Sequence, residues 1–439
     1  MLMSNLGATK IKEILFKLRE TSCISKNELR IILNGKITKN DLCEILPVFI
    51  DSCLLSIESN KVLIGYSGRN FLILKKNLLL KHTDKKEKKF IIFSMISCNF
   101  ISKMILDFTK SNETNKELYD FLEFYNIIKV YKTKMKITAF GRKIILLIRA
   151  ETEIMKFGRK KFHKKTSLTS EEIKELSNFI EEHKTILKKT NHLEAISVLK
   201  LLRNEVLKGG LELLNHTDVK YLRDWIFKNY SVNRKNKIAI IIPCSKTKPF
   251  SLSPTTKKIL NSINDLCVKN NISQQNFEVF IISEPIGIIP LKYQLKYPAS
   301  NYDMILPGWL PLDEANQIER GNGEKIFQTI NNNGKDNKKS NQTEIINSLS
   351  LEIGKFLHKY EVNFKYVISY VRSTHRKMIE KAIKNYKLDI KIIPTQEQIQ
   401  NIIKSKGQIY WVFQGLRSQK AINILKRQLT RYYKDVSSN

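Results

Sequence analysis

The chain has 439 residues, and its 42% apolar content is enough to fill the cores of about two to four domains. Against 42 Asp and Glu it sets 76 Lys and Arg, a formal charge of +34, which points to a polyanionic partner. Six cysteines (Cys23, Cys43, Cys53, Cys98, Cys244, Cys267) form no CxxC pair, which reads as neither a disulfide framework nor a zinc site, and no apolar run approaches a membrane span. The N-terminus lacks the apolar core of a signal peptide, so the expectation is a soluble, cytoplasmic protein with no membrane partner.

Residues 1–75 read as a winged-helix-like unit. Ile11, Ile14, Leu15 and Leu18 mark one helix face, and Ser25 with Glu28 makes a capping box for a second helix. Thr38 begins a third helix, and CLLSIESNKVLIG (Cys53 to Gly65) alternates around a polar tip like a wing hairpin. The pattern repeats over 86–165. Helices are expected at 87–97, 99–109 and 115–124, a strand pair over Ile127 to Ile137 and a closing helix from ITAFGRKIILLI.

From Lys129 to Lys165 there are 13 Lys and Arg against Glu151 and Glu153 alone. AT-rich codon usage raises lysine content along a whole chain but does not concentrate it in one stretch. Here the charges continue an apolar helical stripe, so Lys132, Lys134, Arg142, Lys143, Arg159, Lys160, Lys161 and Lys164 are expected to meet nucleic-acid phosphates. Residues 166–232 are expected to be all-helical, with a capping signature at Thr169 and Ser170 and leucines facing other helices. Tyr221, Trp225 and Phe227 are more readily packing residues than base-stacking ones.

Residues 236–435 alternate strands and helices, which implies an α/β domain with a mostly parallel sheet between helical layers. The strands are expected at Ile238 to Ile242, Phe277 to Ile282, Tyr366 to Tyr370 and Leu388 to Ile393. Residues 331–342 are low-complexity and polar and are expected to lack fixed structure. The first strand ends at Pro243-Cys244-Ser245, the second at Ser283-Glu284-Pro285-Ile286-Gly287, and ligands of α/β sheets sit beyond such carboxyl ends.

Cys244 beside Lys246 and Lys248 is therefore a candidate nucleophile, with a small buried thiol as the alternative. Lys248 is a candidate acid/base or anion anchor. Asp303 is a candidate base or holder of a substrate ammonium, and Glu284 is a second carboxylate for binding substrate or capping a loop. The Gly287 loop could offer backbone N–H donors, while Tyr297 and Tyr302 could stack on a base.

These same residues carry a resemblance. PCSKTKPFSLS, EPIGIIPLKYQLKYPASNYD and PGW are similar to the core domain of the archaeosine synthase family, archaeal enzymes that modify tRNA. The matching positions are Pro243, Cys244, Lys248, Pro249 and Ser251, then Pro285, Gly287 and Pro290, then Tyr297, Pro298, Ala299, Tyr302 and Asp303. Phe250 stands in place of a tyrosine, and Pro254 and Lys257 stand where the motif continues to a serine and a histidine.

The resemblance implies a uracil-DNA-glycosylase-like topology and an amidine-forming transferase or ligase. Such an enzyme joins the side-chain amine of free lysine, as co-substrate, to the nitrile of 7-cyano-7-deazaguanine in tRNA. Pro243, Ser245, Ser251, Glu284, Gly287, Tyr297 and Tyr302 would bind substrate. The chain would need no cofactor or metal of its own, since a radical SAM partner would carry out the later cleavage. The transglycosylase-like barrel and the PUA domain of full-length relatives are not visible. A non-catalytic tRNA-binding subunit and a winged-helix DNA-binding regulator are the alternatives.

Overall fold

The structure, a computed structural model, describes residues 24–25, 55–58, 61–64, 89, 92–93, 127–131, 134–190, 192–230, 237–270, 272–304 and 335–437. They divide into two units. The first is Met1–Glu205 with Lys228–Asn233 and Leu295–Tyr297; the second is Val206–Phe227 with Arg234–Gln294 and Pro298–Asn439.

In the first unit, strands β1 (Ile24–Ser25), β2 (Leu55–Glu58) and β3 (Lys61–Ile64) form an antiparallel sheet of order β1-β3-β2. The hairpin β2–β3 is the one expected from the polar Glu-Ser-Asn-Lys tip. Ser25, expected to cap a helix, ends β1 opposite Lys61. The second expected hairpin is present as β4 (Ile128–Tyr131) and β5 (Lys134–Ile137). The helices expected over 8–50, 99–109 and 115–124 lie outside the described residues.

The closing helix Ala139–Phe157 starts where the sequence placed it, for a local reason. Thr138 caps it by accepting from the Gly141 N–H at 2.8 Å, while the Thr138 N–H donates to the Ile127 carbonyl at 3.0 Å. A Cβ on Gly141 would overlap that same carbonyl, so only glycine lets helix and hairpin meet. Helices Arg159–Lys165, Ser170–Lys189 and Leu193–Leu202 follow. The third of these four helices opens at the expected capping signature, which takes the form of a capping box of Thr169 with Glu172. Its Phe179 and His183 pack with Phe93 in a buried aromatic cluster, the Phe179 and His183 rings 4.5 Å apart.

The second unit holds a five-stranded sheet of order β12-β11-β7-β8-β9. Strands β7 (Lys237–Pro243), β8 (Phe277–Ser283), β11 (Phe364–Tyr370) and β12 (Ile390–Ile393) are parallel, and β9 (Gly287–Pro290) is an antiparallel edge. Ile238 to Ile242 are completely buried, as a central strand covered on both faces requires. The crossover from β7 to β8 runs through helix Pro254–Lys269, and that from β11 to β12 through Ser373–Tyr386. The two crossovers step in opposite directions along the sheet, so their common right hand puts these helices on opposite faces. Helices Lys335–Tyr360, Gln396–Lys406, Gln408–Gln414 and Gln419–Ser437 complete the unit.

Four expectations change. Pro243 does not end the ladder: it pairs with Ile282, and the Cys244 N–H still donates to the Ile282 carbonyl at 2.8 Å. A proline lacks only the donor, and the next residue supplies it. The stretch over 166–232 is not all-helical, because β6 (Leu207–Gly209) runs parallel to β10 (Tyr302–Met304), and it divides between the two units. The Gly287 segment is a strand rather than a loop. Helix Lys335–Tyr360 begins inside the stretch expected to lack structure, because its polar lead-in continues an apolar stripe of Ile345, Leu349, Ile353 and Phe356.

Gly141→Ala is expected to destabilise the first unit by about 2 kcal/mol or more, since relief requires backbone movement. Thermal unfolding with separate probes on the two units checks this, and an unchanged melting temperature would refute it.

Candidate functional site

Three neighbouring parallel strands, β11, β7 and β8, end at one edge of the second unit's sheet. Each places one chemically active side chain just past its carboxyl end. Cys244 follows β7, Glu284 follows β8, and His375 is the third residue of the helix after β11. Cys244 Sγ lies 3.3 Å from Glu284 Oε2 and 3.7 Å from His375 Nε2, and the His375 Nε2 to Glu284 Oε2 distance is 3.2 Å. The three close a triangle. Cys244 is half-buried, whereas Glu284 and His375 are 4% and 8% exposed, so the triangle opens to solvent on the cysteine side.

Burial opposes the His375 imidazolium, but the adjacent Glu284 carboxylate and the hydrogen bonds to Cys244 and Glu284 outweigh it, and the pKa is raised to about 10. Burial likewise opposes the Glu284 carboxylate. The His375 charge and the hydrogen bonds from His375, its own backbone N–H and Cys244 nevertheless lower its pKa. The other oxygen, Oε1, is buried and has no hydrogen-bond partner among the described residues.

Lys248 is buried beside the triangle. Its Nζ donates to the Ser245 carbonyl at 2.8 Å and to the Tyr302 hydroxyl at 3.2 Å, and it sits 4.1 Å and 4.3 Å from the Phe250 and Tyr302 ring centroids. Such a cage holds a cation between aromatic faces. Tyr302 is also hydrogen-bonded to Ser283. Burial, then the nearby Cys244 and Glu284, push its hydroxyl pKa well up, so it stays protonated.

The remaining expected residues are distributed differently. Asp303 follows Tyr302 on β10 opposite Lys208, and strand alternation gives it the other side of that ribbon, away from the side on which Tyr302 meets Lys248. Gly287 does not present an open nest of N–H groups. It is buried, pairs with Ser283 across the β8–β9 hairpin, and needs its φ of +94° for the turn. The Pro285 and Ile286 carbonyls of that turn accept from Arg223 at 2.9 Å and 3.3 Å.

Ser251 contributes its backbone N–H to Gln294 Oε1, and the Ser245 hydroxyl donates to the Thr247 carbonyl. Pro243 is the last residue of β7. Tyr297 belongs to the first unit, where its N–H donates to the Leu193 carbonyl. Lys257, at the motif histidine's position, is exposed on its helix.

On the first unit the expected basic face is narrower than the sequence implied. Lys160, Lys161 and Lys164 are exposed on helix Arg159–Lys165, but Arg159 is 7% exposed and turned inward with Phe162. A seven-residue helix needs an anchored side, and these two residues provide it. Arg142 is tied to Glu175 at 3.6 Å, and Lys143 lies over the Phe179 ring. Lys132 and the side chain of Lys134 lie outside the described residues. Trp225 packs edge-on against Tyr293.

His375 is a functional candidate that the sequence reading does not single out. One signal was present: it follows the end of a buried parallel strand, the topological position that singled out Cys244 and Glu284. The trio also offers metal-ligating atoms within 4.8 Å of one another, which CxxC spacing could not reveal because the ligands come from three separate strand ends.

A family described as "Domain of unknown function (DUF5591)" matches residues 219–335, which include Cys244 and Glu284. The chain is 31% identical over 120 residues to "Archaeosine synthase subunit alpha" of Thermoplasma acidophilum, covering 27% of this chain and 22% of that protein. It is 25% identical over 115 residues to "Archaeosine synthase" of Haloferax volcanii, covering 26% of this chain and 18% of that protein. The chain thus spans about a fifth of the length of the curated relatives it matches. No solved structure matches. No helix among the described residues is long and apolar enough to cross a membrane.

His375→Ala leaves the buried Glu284 carboxylate without its main counter-charge. It is expected to cost about 3 kcal/mol of stability, whereas the double variant with Glu284→Gln recovers much of that loss. Denaturant unfolding of the singles and the double checks the coupling; additive losses would refute it.

Proposed function

We propose that the chain acts in tRNA modification as a relative of the archaeosine synthases. In this reading the second unit joins the side-chain amine of free lysine to the nitrile carbon of 7-cyano-7-deazaguanine in tRNA. The observation that carries it is the convergence of Cys244, Glu284 and His375 at one sheet edge, within and beside the motifs shared with that family.

Addition of an amine to a nitrile forms one N–C bond and breaks one C–N π bond, leaving an amidine. The attacking nitrogen must lose a proton, and the nitrile nitrogen must gain one. Positive charge beside the nitrile nitrogen stabilises the developing anion most where water is excluded. His375, held cationic by Glu284, is that charge when no metal is bound. The cysteine side of the triangle, which opens to solvent, is where an incoming amine can approach the Glu284 carboxylate and be deprotonated. Tyr302 and the caged Lys248 form the wall against which a flat base would lie.

In the first unit, the β1-β3-β2 sheet and the hairpin closed by Thr138 and Gly141 support two winged-helix units. Lys160, Lys161 and Lys164 are the phosphate contacts of the tRNA grip. For the α/β unit we favour the uracil-DNA-glycosylase-like topology. A radical SAM protein would process the adduct. The exposed Lys257 in place of a motif histidine favours a second reading, a tRNA-binding subunit without turnover of its own.

Purified protein incubated with labelled lysine and tRNA bearing the cyano-deazaguanine is expected to give a lysine adduct by nucleoside mass spectrometry. The adduct should be abolished in Cys244→Ala with tRNA affinity unchanged. Retention of tRNA by the wild type with no adduct would overturn the enzymatic reading and leave the binding subunit. Reversing the charge of Lys160, Lys161 and Lys164 together is expected to weaken tRNA binding at least about tenfold and to flatten its salt dependence. An unchanged salt slope would remove this helix from the grip.

A further inference from the structure

We propose that Cys244, Glu284 and His375 form a zinc site with an open coordination position. The first ground is the shape of the triangle. Zinc holds sulfur at about 2.3 Å and imidazole nitrogen or carboxylate oxygen at about 2.0–2.2 Å in tetrahedral geometry, which sets ligand-to-ligand edges of about 3.3–3.6 Å. The observed edges, 3.3 Å, 3.7 Å and 3.2 Å, lie within that range or about 0.1 Å outside it.

The second ground is which atoms meet. In a cysteine–histidine–acid relay the thiol faces one ring nitrogen and the acid the other, so a proton can pass through the imidazole. Here Cys244 Sγ and Glu284 Oε2 both face the single atom Nε2 of His375. The thiol also approaches Glu284 Oε2 at 3.3 Å, so three potential ligand atoms from three strand ends lie within 3.7 Å of one another, a cluster that can close around one cation. This arrangement makes Cys244 a ligand rather than the nucleophile expected from its place in the sequence.

The third ground is an unexplained atom. Glu284 Oε1 is buried with no hydrogen-bond partner among the described residues. The His375 imidazolium offsets the carboxylate through Oε2 and leaves Oε1 unsatisfied, a cost that a cation ligated by the carboxylate would reduce. The donor set of one thiolate, one imidazole and one carboxylate suits zinc among common divalent ions. A dication there, with thiolate, carboxylate and neutral imidazole, leaves the buried cluster uncharged. Because the half-buried Cys244 side faces outward, a fourth position is left for water or substrate, as in catalytic rather than structural sites. Zinc would put positive charge where the His375 proton otherwise sits. The inference rests on the geometry alone and survives if the nitrile chemistry is wrong.

The test uses the full chain. Metal analysis of the purified wild type is expected to find about one zinc per chain, as a single three-ligand site requires. Cys244→Ser and His375→Gln should lower that content severalfold. Cobalt added to chelator-treated protein should give a thiolate-to-metal charge-transfer band that Cys244→Ser removes. Should either variant fail to fold, the wild type suffices: zinc should slow iodoacetamide alkylation of Cys244, read on its own peptide, by more than about tenfold. Protein that melts cooperatively, carries no zinc, shows no charge-transfer band and alkylates equally fast with or without zinc would overturn the proposal. The lysine-adduct assay is scored separately, so failure of the metal site and failure of the proposed reaction are distinguishable.

Discussion

A carboxylate taken out of water at the carboxyl end of β8 sets the terms for the residues around it. Glu284 is 4% exposed, at the end of a strand whose neighbours are isoleucines and phenylalanines. Left alone it would neutralise, because desolvation penalises the charged form by several kcal/mol. It is compensated instead by His375, delivered from a different strand, and by the Cys244 thiol, delivered from a third. The β11-β7-β8 part of the sheet is what keeps these groups together. Parallel strands of similar length, all ending at one edge, bring residues 40 and 91 positions distant in sequence within hydrogen-bond reach of one carboxylate.

The supporting residues follow from the same need for a dry, fixed edge. The β8–β9 hairpin holds Glu284 in a turn whose carbonyls are taken by Arg223, so the backbone there has little freedom to relax. Burial lowers the pKa of that arginine, opposed by Glu352 and Asp224. Lys248 is likewise restricted, between two aromatic rings with its ammonium on a carbonyl and a phenol. A lysine so enclosed fixes the wall of the crevice more than it scans for ligands.

The first unit follows a different logic. Its structural signals are local: a capping threonine, a glycine under a carbonyl, a capping box, an aromatic cluster. Many of its cationic groups are already engaged, as Arg142 is with Glu175 and Arg149 with Glu172. Net charge alone therefore does not locate a phosphate-binding surface, and among the described residues helix Arg159–Lys165 carries Lys160, Lys161 and Lys164 exposed.

The sequence by itself determined the local elements and the edge of the sheet. Alternation marked both hairpins, apolar β-branched runs marked β7, β8, β11 and β12, and Thr169 with Glu172 marked a helix start, because each signal acts within a few residues. It also placed Cys244 and Glu284 at strand ends, since a buried strand must stop where polar residues begin. Tertiary structure alone decided that His375 completes their triangle, because only strand order makes β11 a neighbour of β7. It decided that Gly287 is a paired residue in a hairpin, that Leu207–Gly209 is a strand, and that Asp303 takes the other side of its ribbon from Tyr302. Each of these depends on a partner far along the chain. Whether the acid faces the same ring nitrogen as the cysteine or the opposite one is set by strand order, and spacing in a sequence carries no information about that.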